Sequence, residues 1–452
     1  MATPDRVPPL PSTRNIAWIV VVSLLAAVLL SFLLVIVVVA GARENVISAA
    51  VIFAYAAGAM LLGVLSARWS DQPQRWALIA AGWLALAGTV LLIWPGVVST
   101  AAIAWVAPPL LMALVVWMFM CVRRELNTLI RPLLIYPVFA VVAFAALASG
   151  YETVRESLDR SSQHMSGQLV DVGGGRRMYL SCSGAGTPVV ILEAGFGGLS
   201  STWGWIAPDV ARVTRVCVYD RAGRGWSDPV SDQQDAFAIA TDLNALLAGA
   251  HEAAPYVLVG HSFGGLYVRA FAARFPDQTA GVVLLDSTDP QMFTRLPAYP
   301  QIYEVYRRVS ALFPSLARFG VVRAANRFVL HAFENLPSDS SAELSLFSAT
   351  AQHARSQRDE WAAAPLAMQE ANSLVTLGDC PLMVVTALQD ALEGWATLQD
   401  ELPNLSSNSS HWTLPSATHM SLIENKMDAA LSSQAIREVV AAVQTSRPLI
   451  GH

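Results

Sequence analysis

Ionisable residues are scarce in this chain. They make up 14% of its 452 positions, and Lys426 is the single lysine. The scarcity is uneven, because long uncharged runs crowd the first 150 residues while the remainder has the composition of ordinary soluble protein. With a net charge of -5 the chain has no basic surface able to hold a phosphate backbone, which excludes nucleic-acid binding. Also missing is any acidic or basic residue deep within an apolar run. That absence excludes the ionisable pathway of a pump or ion-coupled transporter and leaves anchoring as the simpler role for those runs.

What is present begins with the runs themselves. No residue from 15 to 41 is ionisable, a stretch longer than the roughly 20 apolar residues that cross a hydrocarbon core. It also outlasts the apolar segment of about 7 to 15 residues in a cleaved signal peptide, the alternative reading, and more apolar runs follow it. Spans are expected at about 16–40, 46–66, 76–94, 99–122 and 132–150, the third and fourth separated at Pro95-Gly96, giving an all-α transmembrane region over 1–151. Trp18, Trp76, Trp94 and Tyr151 stand near span ends, where amphipathic rings favour the interface. Five spans put the termini on opposite sides. Arg6, Arg14, Arg68, Arg75, Arg123, Arg124 and Arg131 fall on one side and Arg43 alone in the short loops opposite, so the amino terminus is expected in the cytoplasm and the carboxy-terminal domain outside it.

After a polar linker, 152–167, short β-branched runs alternate with helical patterns, the signature of a mostly parallel sheet covered by helices. Segments 168–172 and 177–182 flank Gly173-Gly174-Gly175 and read as a hairpin. Further strands are expected at 189–193, 215–220, 257–261, 281–286, 382–386 and 412–415. Ligands of such sheets gather at the carboxyl ends of the strands.

One such end carries Gly260-His261-Ser262-Phe263-Gly264-Gly265, a G-x-S-x-G between an apolar strand and a helical run. Small residues at 260 and 264 relieve the crowding of a tight strand-to-helix turn, so Ser262 is the candidate nucleophile; an inactive glycine-rich strand end is the alternative. A serine hydroxyl needs a base. Of eight histidines, His419 follows the strand at 412–415 in a small-residue loop, whereas His411 begins that strand, His261 sits inside the elbow, and His331 and His353 fall in an insertion. The base needs a carboxylate to fix its tautomer. Asp390, after strand 382–386, is expected to supply it, with Asp286 as the rival at the end of 281–286. Two backbone N–H groups are expected to form an oxyanion hole: Phe263, next to the nucleophile, and Phe196 in the loop Ala194-Gly195-Phe196-Gly197-Gly198.

Residues 168–445 resemble the α/β-hydrolase superfamily, in its serine hydrolase or esterase-like branch. The motifs that carry the likeness are Leu192-Glu193-Ala194-Gly195-Phe196-Gly197, Tyr219-Asp220-Arg221-Ala222-Gly223-Arg224-Gly225-Trp226-Ser227-Asp228, the elbow, and Thr418-His419. The resemblance implies an α/β-hydrolase fold: an eight-stranded, mostly parallel sheet with its second strand antiparallel, a core at 168–287 and 378–446, and a helical lid at 288–377. It further implies acyl-enzyme chemistry on an ester or related bond, with no cofactor and no metal. One departure is Ala194-Gly195, where many relatives carry His-Gly. If the second strand lies antiparallel beside the fourth, as the resemblance implies, Cys182 comes close to Cys217 and the two can form a disulfide; two buried thiols are the alternative. The lid is rich in aromatic residues, which suits a lipophilic ester or lipid-like small molecule as substrate, with the bilayer as the other partner. An acyltransferase or peptidase on the same residues, or a non-catalytic receptor module, remain as competing readings.

Overall fold

The computed structural model describes residues 13–94, 97–126, 134–230, 234–330 and 333–449. Pro95-Gly96, Arg6, Arg131 and His331 lie outside them, as does the side chain of Arg14. Contacts divide the chain into two compact units, Met1–Arg155 and Glu156–His452.

The first unit is helical. Helices α1 (Thr13–Leu33, continued by a π-helical turn at Leu34–Val38), α2 (Glu44–Trp69), α3 (Trp76–Ile93) and α4 (Val97–Glu125) are followed by α5 (Tyr136–Ser162). All five are long and apolar enough to cross a membrane. Small residues bring their axes together: a Cβ on Gly58 of α2 would stand 2.7 Å from Ala27 Cβ of α1, and one on Gly63 would stand 2.6 Å from Leu78 of α3. Without water to drive association, such close backbone packing is what holds apolar helices together. Helix α5 continues to Ser162, so the expected linker at 152–167 is helical over most of its length.

The second unit is built on one eight-stranded sheet. Its strands are β1 (Gln168–Asp171), β2 (Arg177–Ser183), β3 (Val189–Glu193), β4 (Val216–Tyr219), β5 (Tyr256–His261), β6 (Thr279–Leu285), β7 (Leu382–Gln389) and β8 (Ser409–Thr418). They lie in the order β1-β2-β4-β3-β5-β6-β7-β8. Strand β2 runs antiparallel to β1 and β4, and the other neighbours are parallel. Helices α6 (Ile206–Val210), α7 (Ala236–Gly249) and α8 (Gly264–Arg274) connect core strands, and α9 (Met292–Arg295), α10 (Tyr299–Ser310), α11 (Phe313–Arg318), α12 (Val321–Ala325), α13 (Ser338–Ser348) and α14 (Ala351–Ala371) form the insertion after β6. The chain closes with α15 (Trp395–Glu401), α16 (Ser421–Glu424) and α17 (Lys426–Thr445).

The twofold alternation of strand side chains sorts the core into two layers. Ile191, Leu258 and Leu284 face α7, α8 and α14, while Val190, Val257 and Val283 face α6 and α17. Every residue of β5 is buried, which fits a central strand covered on both faces and explains its unbroken apolar run.

Candidate active site

The turn from β5 into α8 is sterically forced. A Cβ at Gly260 would lie 2.6 Å from the backbone of Gly264 and Gly265, and one at Gly264 would collide with the carbonyl oxygen of Glu193. Between them Ser262 takes a left-handed φ of 55°, a conformation costly for a non-glycine residue and sustained here by its neighbours. Its N–H donates to Leu285 O at 3.1 Å and its carbonyl accepts from Thr288 N at 3.0 Å, so β6 pins the elbow on both sides. Ser262 itself is half-buried.

His419 follows directly on β8, and its Nδ1 is 2.6 Å from Asp286 Oδ2. The other Asp286 oxygen accepts from Trp395 Nε1 at 2.8 Å and from Ala387 N at 3.1 Å. Three donors around a buried carboxylate fix its plane. The expectation that Asp390 meets His419 is corrected by this geometry. Strand β7 is three residues longer than expected and pairs with β8 as far as Gln389, opposite Thr418. Asp286 N bonds to Val385 O, so Asp390 lies four residues beyond the level of Asp286, roughly 13 Å at about 3.3 Å per residue. It is exposed there. Asp286, by contrast, turns back at a φ of 41° immediately after β6, beside the nucleophile strand.

His261 has a supporting position. It is buried, its Nε2 lies 2.9 Å from the carbonyl oxygen of His419, and the two rings are 4.6 Å apart. Burial, helped by the neighbouring His419, pushes its pKa down to about 3, so it is a neutral donor that holds the base loop against the elbow. His411 bonds Thr386 Oγ1 at 2.8 Å, and His353 is buried in α14. The hydrogen bonds of His419 run to Asp286 and His261; no hydrogen bond joins it to Ser262 Oγ.

In the loop after β3, Gly197 N donates to Glu360 at 3.0 Å and Gly198 N to Gly195 O at 3.0 Å, whereas the N–H groups of Phe196 and Phe263 make no hydrogen bond among the described residues. Those two donors are therefore free for a ligand. Gly195 lies against the elbow, with room for no side chain: a Cβ would stand 3.0 Å from Ser262 Cβ.

Beneath this loop lies a buried ionic cluster that the sequence reading missed. Arg221 donates to Ala194 O at 2.6 Å, to Gly195 O at 2.7 Å and to Glu360 at 2.8 Å, and it also pairs with Glu193. Arg224 pairs with Glu360, and Tyr267 donates to it at 2.7 Å. Burial raises the Glu193 pKa despite Arg221. For Glu360 burial acts the same way but Arg224 and Arg221 outweigh it, so its carboxyl stays below the usual range. A signal was available in the sequence: one acid, in an alanine-rich stretch of the insertion, could answer two arginines that the 219–228 motif holds on a buried turn. Above the loop, the Trp361 ring of α14 packs on Phe196 at 5.0 Å, Phe263 at 5.6 Å and Tyr306 at 4.7 Å, an aromatic roof beside the free N–H pair.

Cys182 and Cys217 stand opposite each other on β2 and β4 and are joined by a disulfide. Cys121 and Cys380 are free.

Residues 187–426, just over half of the chain, match the family described as the alpha/beta hydrolase fold. An uncharacterized protein of Schizosaccharomyces pombe is 40% identical over 87 residues, 19% of this chain and 16% of that protein. A 2-hydroxymuconate semialdehyde hydrolase of Pseudomonas sp. is 31% identical over 118 residues, 26% of this chain and 42% of the relative. The matched region spans less than half the length of these curated relatives. Among solved structures, a putative acyltransferase from Salmonella enterica superposes with a TM-score of 0.50 at 18% identity, covering 61% of this chain and 95% of that one.

Proposed function

Because the chain belongs to the α/β-hydrolase family, we propose that it is a membrane-anchored serine hydrolase that cleaves a carboxylic ester through an acyl-enzyme. The observation that carries this reading is the His419 Nδ1 to Asp286 bond at the strand edge that also holds Ser262 in its strained turn. Ser262 Oγ attacks the ester carbonyl carbon while His419 Nε2 takes its proton, and Asp286 steadies the imidazolium. The N–H groups of Phe196 and Phe263 receive the developing negative charge on the carbonyl oxygen. Collapse expels the alcohol with the proton from His419, and water, deprotonated by the same base, releases the acid. A small loop movement that keeps the Nδ1–Asp286 bond brings Nε2 to the hydroxyl, as base and nucleophile tighten on substrate binding.

The aromatic roof of Trp361, Tyr306 and Phe196 supports a lipophilic acyl group. The arginine asymmetry and the disulfide in the second unit support an extracytoplasmic position for it, with the amino terminus in the cytoplasm. A fluorophosphonate probe tests the chemistry: labelling of the full chain that vanishes in Ser262→Ala is expected, and a wild-type protein that takes no label refutes the nucleophile. Turnover of long-chain esters well above that of short soluble ones is the corresponding expectation for the acyl group.

A further inference from the structure

Helix α10 carries two apolar faces of different kinds. Tyr299, Tyr303 and Tyr306 turn inward, onto Phe293 and Trp361. On the outer face Ile302, Val305 and Val309 follow helical spacing and lie 40%, 55% and 47% exposed. Beyond the helix Leu316, Phe319 and Phe328 of the lid are exposed as well, Phe328 at 71%. Charge in this stretch leans positive. Between 299 and 330 stand Arg307, Arg308, Arg318, Arg323 and Arg327 against the single acid Glu304; Glu304 pairs with Arg307 and Arg308, and Arg323 pairs with Asp159 of α5, so the surplus of positive charge is small, with Arg308 and Arg327 exposed.

An exposed aliphatic helix face with arginines beside it marks an interaction surface. Aliphatic side chains at helical spacing with arginines beside them match the boundary between acyl chains and anionic headgroups. This chain also carries five helices able to cross a membrane, so a bilayer is always within tether reach of the second unit, at high effective concentration. We propose that the outer face of the lid, centred on Ile302, Val305 and Val309, docks on the surface of the lipid bilayer that the chain spans. The same helix then offers its aliphatic face to lipid and its tyrosine face to the roof of the candidate active site.

The test uses the full chain in proteoliposomes, with Cys121→Ser and Cys380→Ser removing the free thiols and the Cys182–Cys217 bridge retained. An environment-sensitive fluorophore is attached at Val305→Cys or, as a second position, Ile302→Cys. The control is Asp277→Cys, in the exposed turn Pro276–Gln278 ahead of β6. Docking predicts a blue-shifted emission at 305 and 302, quenched severalfold more than at 277 by phosphatidylcholine brominated near the headgroup, and stronger still when phosphatidylglycerol is mixed in equimolar amount. Water-like, unquenched emission overturns the proposal. So does a blue shift without lipid quenching, which means that protein covers the face, and quenching indifferent to phosphatidylglycerol removes the arginines from the interaction. No turnover is read, so the result stands apart from the assignment of Ser262.

Discussion

At the scale of single residues, the two aspartates at neighbouring strand ends make the sharpest contrast. Asp286 holds His419, Trp395 and the Ala387 amide, whereas Asp390 is exposed beyond β7. Asp286→Asn is therefore expected to lower kcat for ester hydrolysis by about ten-thousand-fold, because an amide cannot enforce the productive tautomer, while Asp390→Asn stays within about twofold of wild type. A steady-state assay of both variants decides it; equal losses would break the assignment. Glu360 touches no substrate in this reading but ties Gly197 N, Arg221, Arg224 and Tyr267 together under the oxyanion loop. Removing its charge with Glu360→Gln leaves Arg221 and Arg224 facing each other and loosens the loop. The expected result is about a tenfold fall in kcat with KM little changed, since roughly 1.4 kcal/mol of transition-state stabilisation is lost. Glu360→Ala, which takes from the buried Arg224 its acid and leaves Arg221 with Glu193, is expected to unfold the second unit more readily still.

The elements show why some of this was legible beforehand and some was not. The strand-turn-helix around Ser262 could be read because glycine is the only residue that fits at 260 and 264, and His419 because a small-residue loop follows β8. The choice between Asp286 and Asp390 depended on how far β7 extends, and strand ends are set by pairing with β8 rather than by local propensity. Glu360 was missed for a related reason: its partners lie more than 130 positions away, at Arg221 and Arg224, so the excess of buried arginine in the 219–228 motif hinted at an acid without saying which one. The lid element makes its own prediction through Glu343 on α13. Burial, then the nearby Asp220, lifts its pKa from 4.5 to about 7, so the folded state binds this proton more tightly than the unfolded chain does. Stability from this group is complete below about pH 4.5 and is lost as pH rises toward 7, by up to about 3 kcal/mol. Glu343→Gln should accordingly raise Tm relative to wild type at pH 8 and leave it unchanged or lower at pH 5. Thermal unfolding of the detergent-solubilised protein at the two pH values checks the sign.

At the scale of the whole molecule, the sidedness inferred from arginines in the first unit meets a covalent observation in the second. Arg68, Arg75, Arg123 and Arg124 share one side of the span order, and the proposed topology puts the carboxy-terminal unit on the other. A disulfide between Cys182 and Cys217 persists only in an oxidising compartment, so the two arguments stand or fall on different physics yet point the same way. The bridge links residues 35 positions apart, and closing a loop of that length in the unfolded chain is worth about 3 to 4 kcal/mol. Cys182→Ser with Cys217→Ser should thus lower the unfolding temperature of the second unit. Alkylation after acid quenching and denaturation provides the decisive measurement: without reductant, mass spectrometry should find adducts on Cys121 and Cys380 alone, and with reductant on all four cysteines. Four adducts without reductant would put the hydrolase unit on the reducing side of the membrane, and the arginine count would then have to be explained by a different number of spans.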